Sequence, residues 1–379
     1  MKIVCICQYY AYPPRQGGQI RVYNLNKRLN AVQHSFTPVL NKTATLNKGY
    51  AEHIYSLKSF TAVLLFLKFL GIRSYDFLIP SLFRHVRPPA PLLSDLKDAD
   101  IVQVEHPWLV AWIAKFTDKP IVLVAHNIEH NLARDIFRSH PLGKRITESV
   151  RHTEQEAISL ASMVFCVCEE DKTELRSLYG KKRYCIIPNG VDTRIFTPKK
   201  RDPSFIWKKV GKKFRHIVLF TGSRHPPNEE ALESIRSLAE KMKDIFFVVA
   251  GHVAQREVRG NMFCTGDIGD ILPYFQAADI AINPMLSGSG TNLKLLEYMA
   301  SGLPAVTTPK GARGIRVSDG VNACVSEIWD FERAIRALLG DATLRKKLSI
   351  NARKAAREYS WDLISAEAYD ALASLGTLQ

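Results

Sequence analysis

The chain has 379 residues, enough for two ordinary domains, and its 46% hydrophobic and 23% charged residues exclude a disordered or collagen-like chain. The net charge is +15, with 28 Lys and Arg against 17 Asp and Glu in residues 1–200 and 24 against 20 in the remainder. A basic first half predicts an anionic partner such as a membrane surface, a phosphorylated lipid or nucleic acid. A generally basic proteome is the alternative explanation.

The seven cysteines lie in apolar, strand-like runs, which favours buried thiols in a reducing cytosol over disulfides. The first ten residues become polar too quickly for a signal peptide. No run reaches about 18 uncharged apolar residues, so no membrane span is expected. We therefore expect a cytoplasmic protein, with the inner face of the membrane as a further location.

The first predicted elements are a strand, a glycine-containing turn and a helix. Lys2 to Ile6 is a continuous apolar run, typical of a buried parallel strand. A turn containing Gly17 and Gly18 follows, and helical periodicity runs from Ile20 to Leu29. In doubly wound sheets, a strand followed by such a turn and a helix forms a ligand site at the end of the strand. The glycines do not match the dinucleotide pattern, so a nicotinamide cofactor is not favoured.

An apolar run from Leu57 to Leu70 is too short to span a bilayer. Arg84, His85 and Arg87 follow it. One interpretation is peripheral contact with an anionic membrane through residues 57–89, with apolar side chains in lipid and cations at the headgroups. The other is a helix in the core of the first domain.

From Ile101 onward, apolar strands alternate with helical stretches. The predicted strands are IVQVE, IVLVAH, MVFCVC, YCIIP, IVLFTGS, FFVVAG, MFCTGD, IAINPM and AVTT. Such alternation predicts two α/β domains with mainly parallel sheets. We place the first domain at 1–198, a charged linker at 199–213, the second domain at 214–358 and a final helix within 359–379.

Two strand ends carry residues suited to ligand binding. His126 ends its predicted strand, at the edge where open parallel sheets bind ligands. In the stretch from Ile280 to Pro304, a strand leads to the small residues SGSGT and then to a helix beginning near Asn292. The helix N-terminus and Lys294 favour a phosphate, and Glu297 favours a group rich in hydroxyls.

The chain contains three motifs that closely resemble those of the retaining nucleotide-sugar glycosyltransferases of family 4. In chain order they are IPNGVDTRIFTP, LFTGSRHPPNEEAL and GSGTNLKLLEYMASGLP. The resemblance implies the GT-B fold, in which two Rossmann-like domains with mainly parallel sheets face each other across a cleft. The first domain would supply most of the acceptor site and the second would bind a nucleotide diphosphate sugar. No cofactor and no metal are expected, and the last helix would cross back to the first domain.

The resemblance also implies roles for particular residues. The catalytic residues would be His126, Lys294 and Arg224, with His126 near the sugar and the two cations near the diphosphate. Glu297 would bond the ribose hydroxyls. The other donor-binding residues would be Gly17, Gly18, Ile268, Ser289, Gly290, Thr291, Asn292 and Leu293.

One position departs from the family pattern. The family typically carries a glutamate eight positions before the residue equivalent to Glu297, where this chain has Ser289. That glutamate normally contacts hydroxyls of the donor sugar, and a serine can hydrogen-bond there but brings no charge. The departure leaves the identity of the donor sugar open.

The function implied is transfer of a hexose-type sugar from a nucleotide diphosphate sugar to a glycan or lipid-linked acceptor, with retention of anomeric configuration. It would belong to polysaccharide or glycolipid biosynthesis. Two alternatives within the same fold are a nucleotide-sugar epimerase and a catalytically silent homologue.

Three more distant alternatives come from short patterns or from charge. His126, Glu129 and His130 match the H-x-x-E-H zinc-protease motif, which would have to lie within a helix. Asp98 and Asp100 form a D-x-D pattern, but they precede a strand and are better explained as surface charge. A basic nucleic-acid-binding protein lacks support, because no recognition module stands out, and no nucleic-acid partner is expected.

Overall fold

The computed structural model describes residues 1–37, 44–47, 50–56, 72 and 76–376. The chain divides into two compact units, one formed by Met1–Pro188 with Ile364–Gln379 and the other by Asn189–Leu363. The first unit therefore contains both ends of the chain. The apolar run 57–70, with its proposed membrane contact, lies outside the described residues.

The first unit is built on one sheet. Its strands are β1 (Ile3–Cys7), β2 (Val32–Thr37), β3 (Ala44–Asn47), β4 (Tyr50–Ser56), β5 (Ile101–Glu105), β6 (Ile121–Ala125), β7 (Met163–Cys166) and β8 (Tyr184–Ile186). Over the described residues the strand order is β3-β4-β2-β1-β5-β6-β7-β8. All pairs are parallel except β3 with β4. The chain reverses its direction of strand addition between β1 and β5, and open α/β sheets bind ligands at such a point.

Helices cover this sheet and close its core. They are α1 (Gly17–Leu29), α2 (Ile79–Phe83), α3 (Ala90–Asp98), α4 (Val110–Ile113), α5 (Glu129–Ile136), α6 (Gly143–Leu160) and α7 (Glu169–Tyr179). The helix α1 begins at Gly17, three residues before the predicted Ile20. Gln19 explains the early start, because its side-chain oxygen accepts hydrogen bonds from the backbone N–H groups of Arg15 and Gln16.

The second unit repeats the scheme. Its strands are β9 (His216–Thr221), β10 (Ile245–Ala250), β11 (Glu257–Arg259), β12 (Met262–Cys264), β13 (Ile280–Asn283), β14 (Ala305–Thr307) and β15 (Cys324–Val325). Its helices are α8 (Ser204–Val210), α9 (Pro226–Lys241), α10 (Leu272–Ala277), α11 (Leu293–Ala300), α12 (Pro309–Ala312), α13 (Phe331–Gly340) and α14 (Ala342–Arg357). The range 199–213, predicted as a linker, thus contains the helix α8.

The strand order in the second unit is β11-β12-β10-β9-β13-β14-β15, and all pairs are parallel except β11 with β12. The direction of strand addition reverses between β9 and β13. The loops that follow these two strands therefore border a second switch point. Apart from the half-buried His216 at the start of β9, the central strands are buried, which explains why they read as continuous apolar runs in the sequence.

The last helix, α15 (Trp361–Gly376), begins in the second unit and ends in the first. Ile364, Ala368 and Leu372 are fully buried and recur every four residues, which gives the helix one apolar face. Of the helices that the structure describes, none is long and apolar enough to cross a membrane.

Candidate active-site residues

The loop after β13 in the second unit is shaped by two glycines. Gly288 has φ of +110° and Gly290 has φ of +68°, a region that side chains with a Cβ rarely adopt. Asn292 is the N-cap residue, and Leu293 is the first residue of α11. The unpaired N–H groups and the positive dipole end of α11 are therefore directed at the loop, as the sequence predicts.

Lys294 lies in the first turn of α11 and is half-buried. Its Nζ donates to Asn228 Oδ1 at 2.7 Å and lies 4.8 Å from the centre of the Phe220 ring. Burial lowers the pKa of this ammonium to about 7, and Glu297 only partly opposes the shift. An anion bound beside Lys294 would supply the negative charge that its surroundings lack.

Glu297 follows Lys294 by three residues, so the two side chains lie on neighbouring faces of α11. Burial raises the pKa of the Glu297 carboxyl to about 7, and the charge of Lys294 acts in the opposite direction. Two ionisable groups with such displaced pKa values in one turn are typical of a functional site. The pair can bind an anion and a hydroxyl-bearing group side by side.

The other predicted residues of this unit differ in their contacts and in their exposure to solvent. Thr291 Oγ1 accepts a hydrogen bond from Asn189 Nδ2 at 2.7 Å, and Ser289 is exposed in the loop. Arg224 follows β9 and is 80% exposed, with its Nε 3.8 Å from Glu229 Oε1. Ile268 is half-buried in the loop after β12.

Three residues near the loop were not predicted. Asn228, in the first turn of α9, fixes the Lys294 ammonium. Arg313 Nη1 lies 3.5 Å from the Gly290 carbonyl oxygen, and Glu230 Oε2 accepts a hydrogen bond from Ser287 Oγ at 2.5 Å. Asn228 and Glu230 belong to the motif LFTGSRHPPNEEAL, which is the one sequence signal that could have pointed to them.

In the first unit, His126 directly follows β6, as predicted. Its Nε2 lies 2.5 Å from Glu105 Oε2 at the end of the neighbouring strand β5. Burial and the charge of His106 lower the pKa of His126 to about 4. Burial alone would raise the pKa of Glu105, but the hydrogen bond from His126 and the charge of Arg21 hold it below its usual value. His126 is therefore neutral, with its proton on Nε2 and a lone pair on Nδ1.

His106 is a neighbour of His126 that no motif predicted. Its ring stacks on that of His126 with centres 4.2 Å apart, and its Nδ1 lies 2.8 Å from Glu129 Oε1. Although burial opposes it, the hydrogen bond to Glu129 raises the pKa of His106. Its φ of +62° is unusual for a residue with a side chain and is typical of strained functional positions.

Gly17 and Gly18 are the first two residues of α1, near this cluster. A Cβ on Gly18 would lie 2.7 Å from Tyr9 Oη, which is itself 3.3 Å from His106 Nε2. The glycine therefore permits close packing of Tyr9 against the start of α1. Glu52 fixes the preceding loop by accepting hydrogen bonds from the N–H groups of Ala11 and Tyr12.

The geometry does not support two of the alternative motifs. The helix α5 begins at Glu129, so His126 lies outside it and cannot share a helical face with His130. His126 pairs with Glu105 and Glu129 pairs with His106, so the three residues of the zinc-protease motif do not converge. Asp98 and Asp100 contact Lys2 at the opposite, N-terminal edge of the sheet.

Comparisons with known proteins agree with this architecture. The Glycosyltransferase Family 4 model matches residues 16–195, and the Glycosyl transferases group 1 model matches residues 215–341. Anabaena HepE, solved in complex with UDP, superimposes with a TM-score of 0.71 at 16% identity, covering 99% of this chain and 100% of that one.

Two curated relatives are enzymes named for sugar transfer. D-inositol 3-phosphate glycosyltransferase of Geodermatophilus obscurus is 28% identical over 69% of this chain and 64% of its own length. An Escherichia coli UDP-Gal:alpha-D-GlcNAc-diphosphoundecaprenol alpha-1,3-galactosyltransferase is 24% identical over 48% of this chain and 52% of its own length. The matches thus span less than two thirds of either relative. The solved structures share the GT-B fold of this chain, and the two family models together support a glycosyltransferase of that fold.

Proposed function

We propose that the protein is a retaining glycosyltransferase of family 4 that moves a hexose-type sugar from a nucleotide diphosphate sugar to a glycan or lipid-linked acceptor. The observation that carries the proposal is the pairing of Lys294 and Glu297 in the first turns of α11. Both groups have a pKa of about 7 without a ligand. A nucleoside diphosphate would satisfy both, since its phosphates need a cation and its ribose offers paired hydroxyls.

In the proposed reaction, the anomeric bond breaks and the nucleoside diphosphate departs with growing negative charge. Lys294 and the N–H groups at the start of α11 stabilise that charge. No metal is required for this step in the proposal. Asn228 Oδ1 accepts a hydrogen bond from Lys294 Nζ at 2.7 Å and holds the ammonium in place. The lysine side chain therefore needs little reorganisation as the charge on the phosphate develops.

The donor sugar is recognised, in this proposal, without the glutamate usual at the position of Ser289. Glu230 brings a carboxylate to the same loop through its 2.5 Å hydrogen bond with Ser287 Oγ. In the first unit, the Nδ1 lone pair of His126 is proposed to accept a hydrogen bond from a sugar hydroxyl. The acceptor's proton passes to the leaving phosphate, so no separate base is needed.

The acceptor is proposed to be a phosphate-bearing lipid or glycan. The name of the E. coli relative specifies a diphosphoundecaprenol-linked sugar, and that of the other relative specifies an inositol phosphate. Both are anionic, which suits the excess of Lys and Arg in residues 1–200. Such an acceptor agrees with a cytoplasmic enzyme that contacts the inner membrane face through 57–89. Reduced binding of a Leu65→Asp variant to anionic vesicles would support that contact, and equal binding would contradict it.

The test begins with thermal shift over a panel of nucleotide sugars, because a ligand that binds the folded state raises the melting temperature. The donor that binds is then mixed with lipid-linked acceptors, and release of nucleoside diphosphate is measured with and without acceptor. Acceptor-dependent release, and a product with the donor's anomeric configuration by NMR, are expected. Isomerisation of the donor without acceptor would identify an epimerase instead. A donor that binds but never turns over would indicate a silent homologue.

A further inference from the structure

A group of polar side chains in the first unit belongs to neither set of candidate active-site residues. His34 of β2 and His53 of β4 are register partners across the two parallel strands, and Asp95 comes from α3. One ligand atom from each lies within 4.8 Å of the other two. We propose that His34, His53 and Asp95 form a binding site for a divalent transition-metal ion, of which Zn²⁺ suits two imidazoles and a carboxylate best.

The distances suit a metal ion of this kind. Zinc binds imidazole nitrogen and carboxylate oxygen at about 2.0–2.2 Å, so neighbouring ligand atoms of a tetrahedral ion lie roughly 3.3 Å apart. His34 Nε2 and Asp95 Oδ2 are already 3.1 Å apart. The ligand atoms lie within 4.8 Å of one another, and the His53 ring, now stacked on that of His34, must turn so that its in-plane lone pair faces the same point. Three protein ligands leave the fourth position for water.

Two of the proposed ligands each contact a second side chain through the atom that faces away from the ion. His34 Nδ1 lies 3.0 Å from Tyr55 Oη, which leaves Nε2 to face Asp95. Asp95 Oδ1 lies 3.1 Å from Lys2 Nζ, and Oδ2 is the oxygen turned toward His34. Protein metal sites commonly hold the far atom of each ligand in this way. Asp98, 3.5 Å from Lys2, offsets the positive charge of that lysine.

His53 is the residue that argues for a metal rather than a simple hydrogen-bonded pair. The His34–Asp95 contact would be complete without it. His53 nevertheless presents its ring against that of His34, with centres 4.9 Å apart and planes inclined by 17°. An ion at this point would join the two strands β2 and β4 to α3. Metal binding should therefore stabilise the first unit, since the unfolded chain has no preformed site.

The experiment uses the full-length chain after chelation, titrated with Co²⁺ and followed by visible absorption. The wild type should bind about one equivalent and show d–d bands without the near-ultraviolet band of a thiolate ligand. His53→Gln and Asp95→Asn should each weaken binding at least tenfold. These two side chains are half-buried, whereas that of His34 is fully buried and its replacement is less safe for folding. Tyr55→Phe should weaken binding by about tenfold.

His85→Gln, at an exposed histidine, and Asp135→Asn, at an exposed aspartate of the same unit, are the matched controls. Both should bind Co²⁺ as the wild type does. Zn²⁺ should raise the melting temperature of the wild type and not that of His53→Gln. Wild-type Co²⁺ affinity in His53→Gln, a thiolate spectrum or the absence of stoichiometric binding would each overturn the proposal. None of these measurements depends on sugar transfer, so either proposal can fail alone.

Discussion

Lys294 and Glu297 are ionisable groups whose pKa values burial moves to about 7 from opposite directions. Such environments disfavour the charged forms and make the ligand-free site less stable than a neutral equivalent. A bound nucleoside diphosphate would restore the charge of Lys294. The protonation state of this lysine should therefore change when the donor binds.

The protein should therefore take up a proton when the ligand binds at pH 8. At that pH the free Lys294, with a pKa of about 7, is mostly neutral, and an adjacent diphosphate raises the pKa so that the lysine gains a proton. Glu297, also with a pKa of about 7, is already mostly ionised and contributes little. Calorimetric titration with UDP and GDP in buffers of different ionisation enthalpy measures the uptake.

Lys294→Met should abolish that proton uptake, while Lys241→Met, at an exposed position in the same unit, should retain it. Equal proton uptake by the wild type and by Lys294→Met would contradict the assignment of the shifted pKa to Lys294.

Glu105 is predicted to position His126. Glu105 Oε2 lies 2.5 Å from His126 Nε2 and keeps the imidazole proton on that nitrogen. Nδ1 is therefore left as an acceptor. Glu105→Ala should lower kcat more than tenfold with little change in the KM for the donor. Glu105→Gln should recover part of the rate, because an amide oxygen can still accept the hydrogen bond.

The rate order wild type, Glu105→Gln, Glu105→Ala is the expected result in a transfer assay, with folding monitored by thermal melting. Glu148→Gln removes an exposed carboxylate of the same unit and should leave the rate unchanged. A folded Glu105→Ala variant with wild-type kcat would contradict the positioning role.

At the scale of elements, the loop before α11 depends on the left-handed backbone of Gly290. An alanine there is expected to cost about 1 kcal/mol of stability and to displace the first turn of α11. Gly290→Ala should therefore raise the Kd for nucleoside diphosphate at least tenfold. Gly320 has φ of +65°, close to the +68° of Gly290, and a Cβ there meets open space.

Gly320→Ala is thus a control with the same backbone strain outside the candidate site. It should lose similar stability by thermal melting and bind nucleoside diphosphate as the wild type does. Parallel effects of the two substitutions on binding would show that the Gly290 loop has no special role.

Elements could be predicted from sequence where their signal is local. The continuous apolar strands, the glycine loop and the helix start at Asn292 follow from residues adjacent in the chain. The start of α1 was misplaced, because it depends on hydrogen bonds that the Gln19 side chain accepts from the backbone of Arg15 and Gln16. Partners distant in sequence were not predicted: Asn228 is 66 residues from Lys294, and Glu105 is 21 from His126. Asn228 lies in one of the three motifs, but no periodicity or motif encodes which residue it contacts, and none includes Glu105.

At the scale of the whole molecule, the last sixteen residues belong to the first unit. Leu372 is fully buried there, whereas Tyr369, on the same helix, is 45% exposed. Leu372→Ala should lower the free energy of unfolding by about 2–5 kcal/mol, and Tyr369→Ala should have a much smaller effect. Thermal melting of both variants checks this, and equal melting temperatures would contradict the docking of α15.

The two-domain fold and the match to glycosyltransferase family models could be predicted from sequence because three motifs occur in the right order. The set His34, His53 and Asp95 could not, since it combines residues from two strands and a helix spread over 61 positions. The sheet topology brings them together, and no short pattern marks them. The same holds for His106, whose strained backbone becomes visible only in the folded chain.

The central claim is that α11 binds a nucleoside diphosphate through Lys294 and Glu297. Calorimetric titration of UDP and GDP into the wild type, Lys294→Ala and Glu297→Ala tests it directly. Glu240→Ala and Lys241→Ala, at exposed positions on α9, are the controls. At least one nucleotide should bind the wild type and both controls with a similar Kd, and each site variant should bind it at least tenfold more weakly. Folded site variants with wild-type affinity would contradict the account.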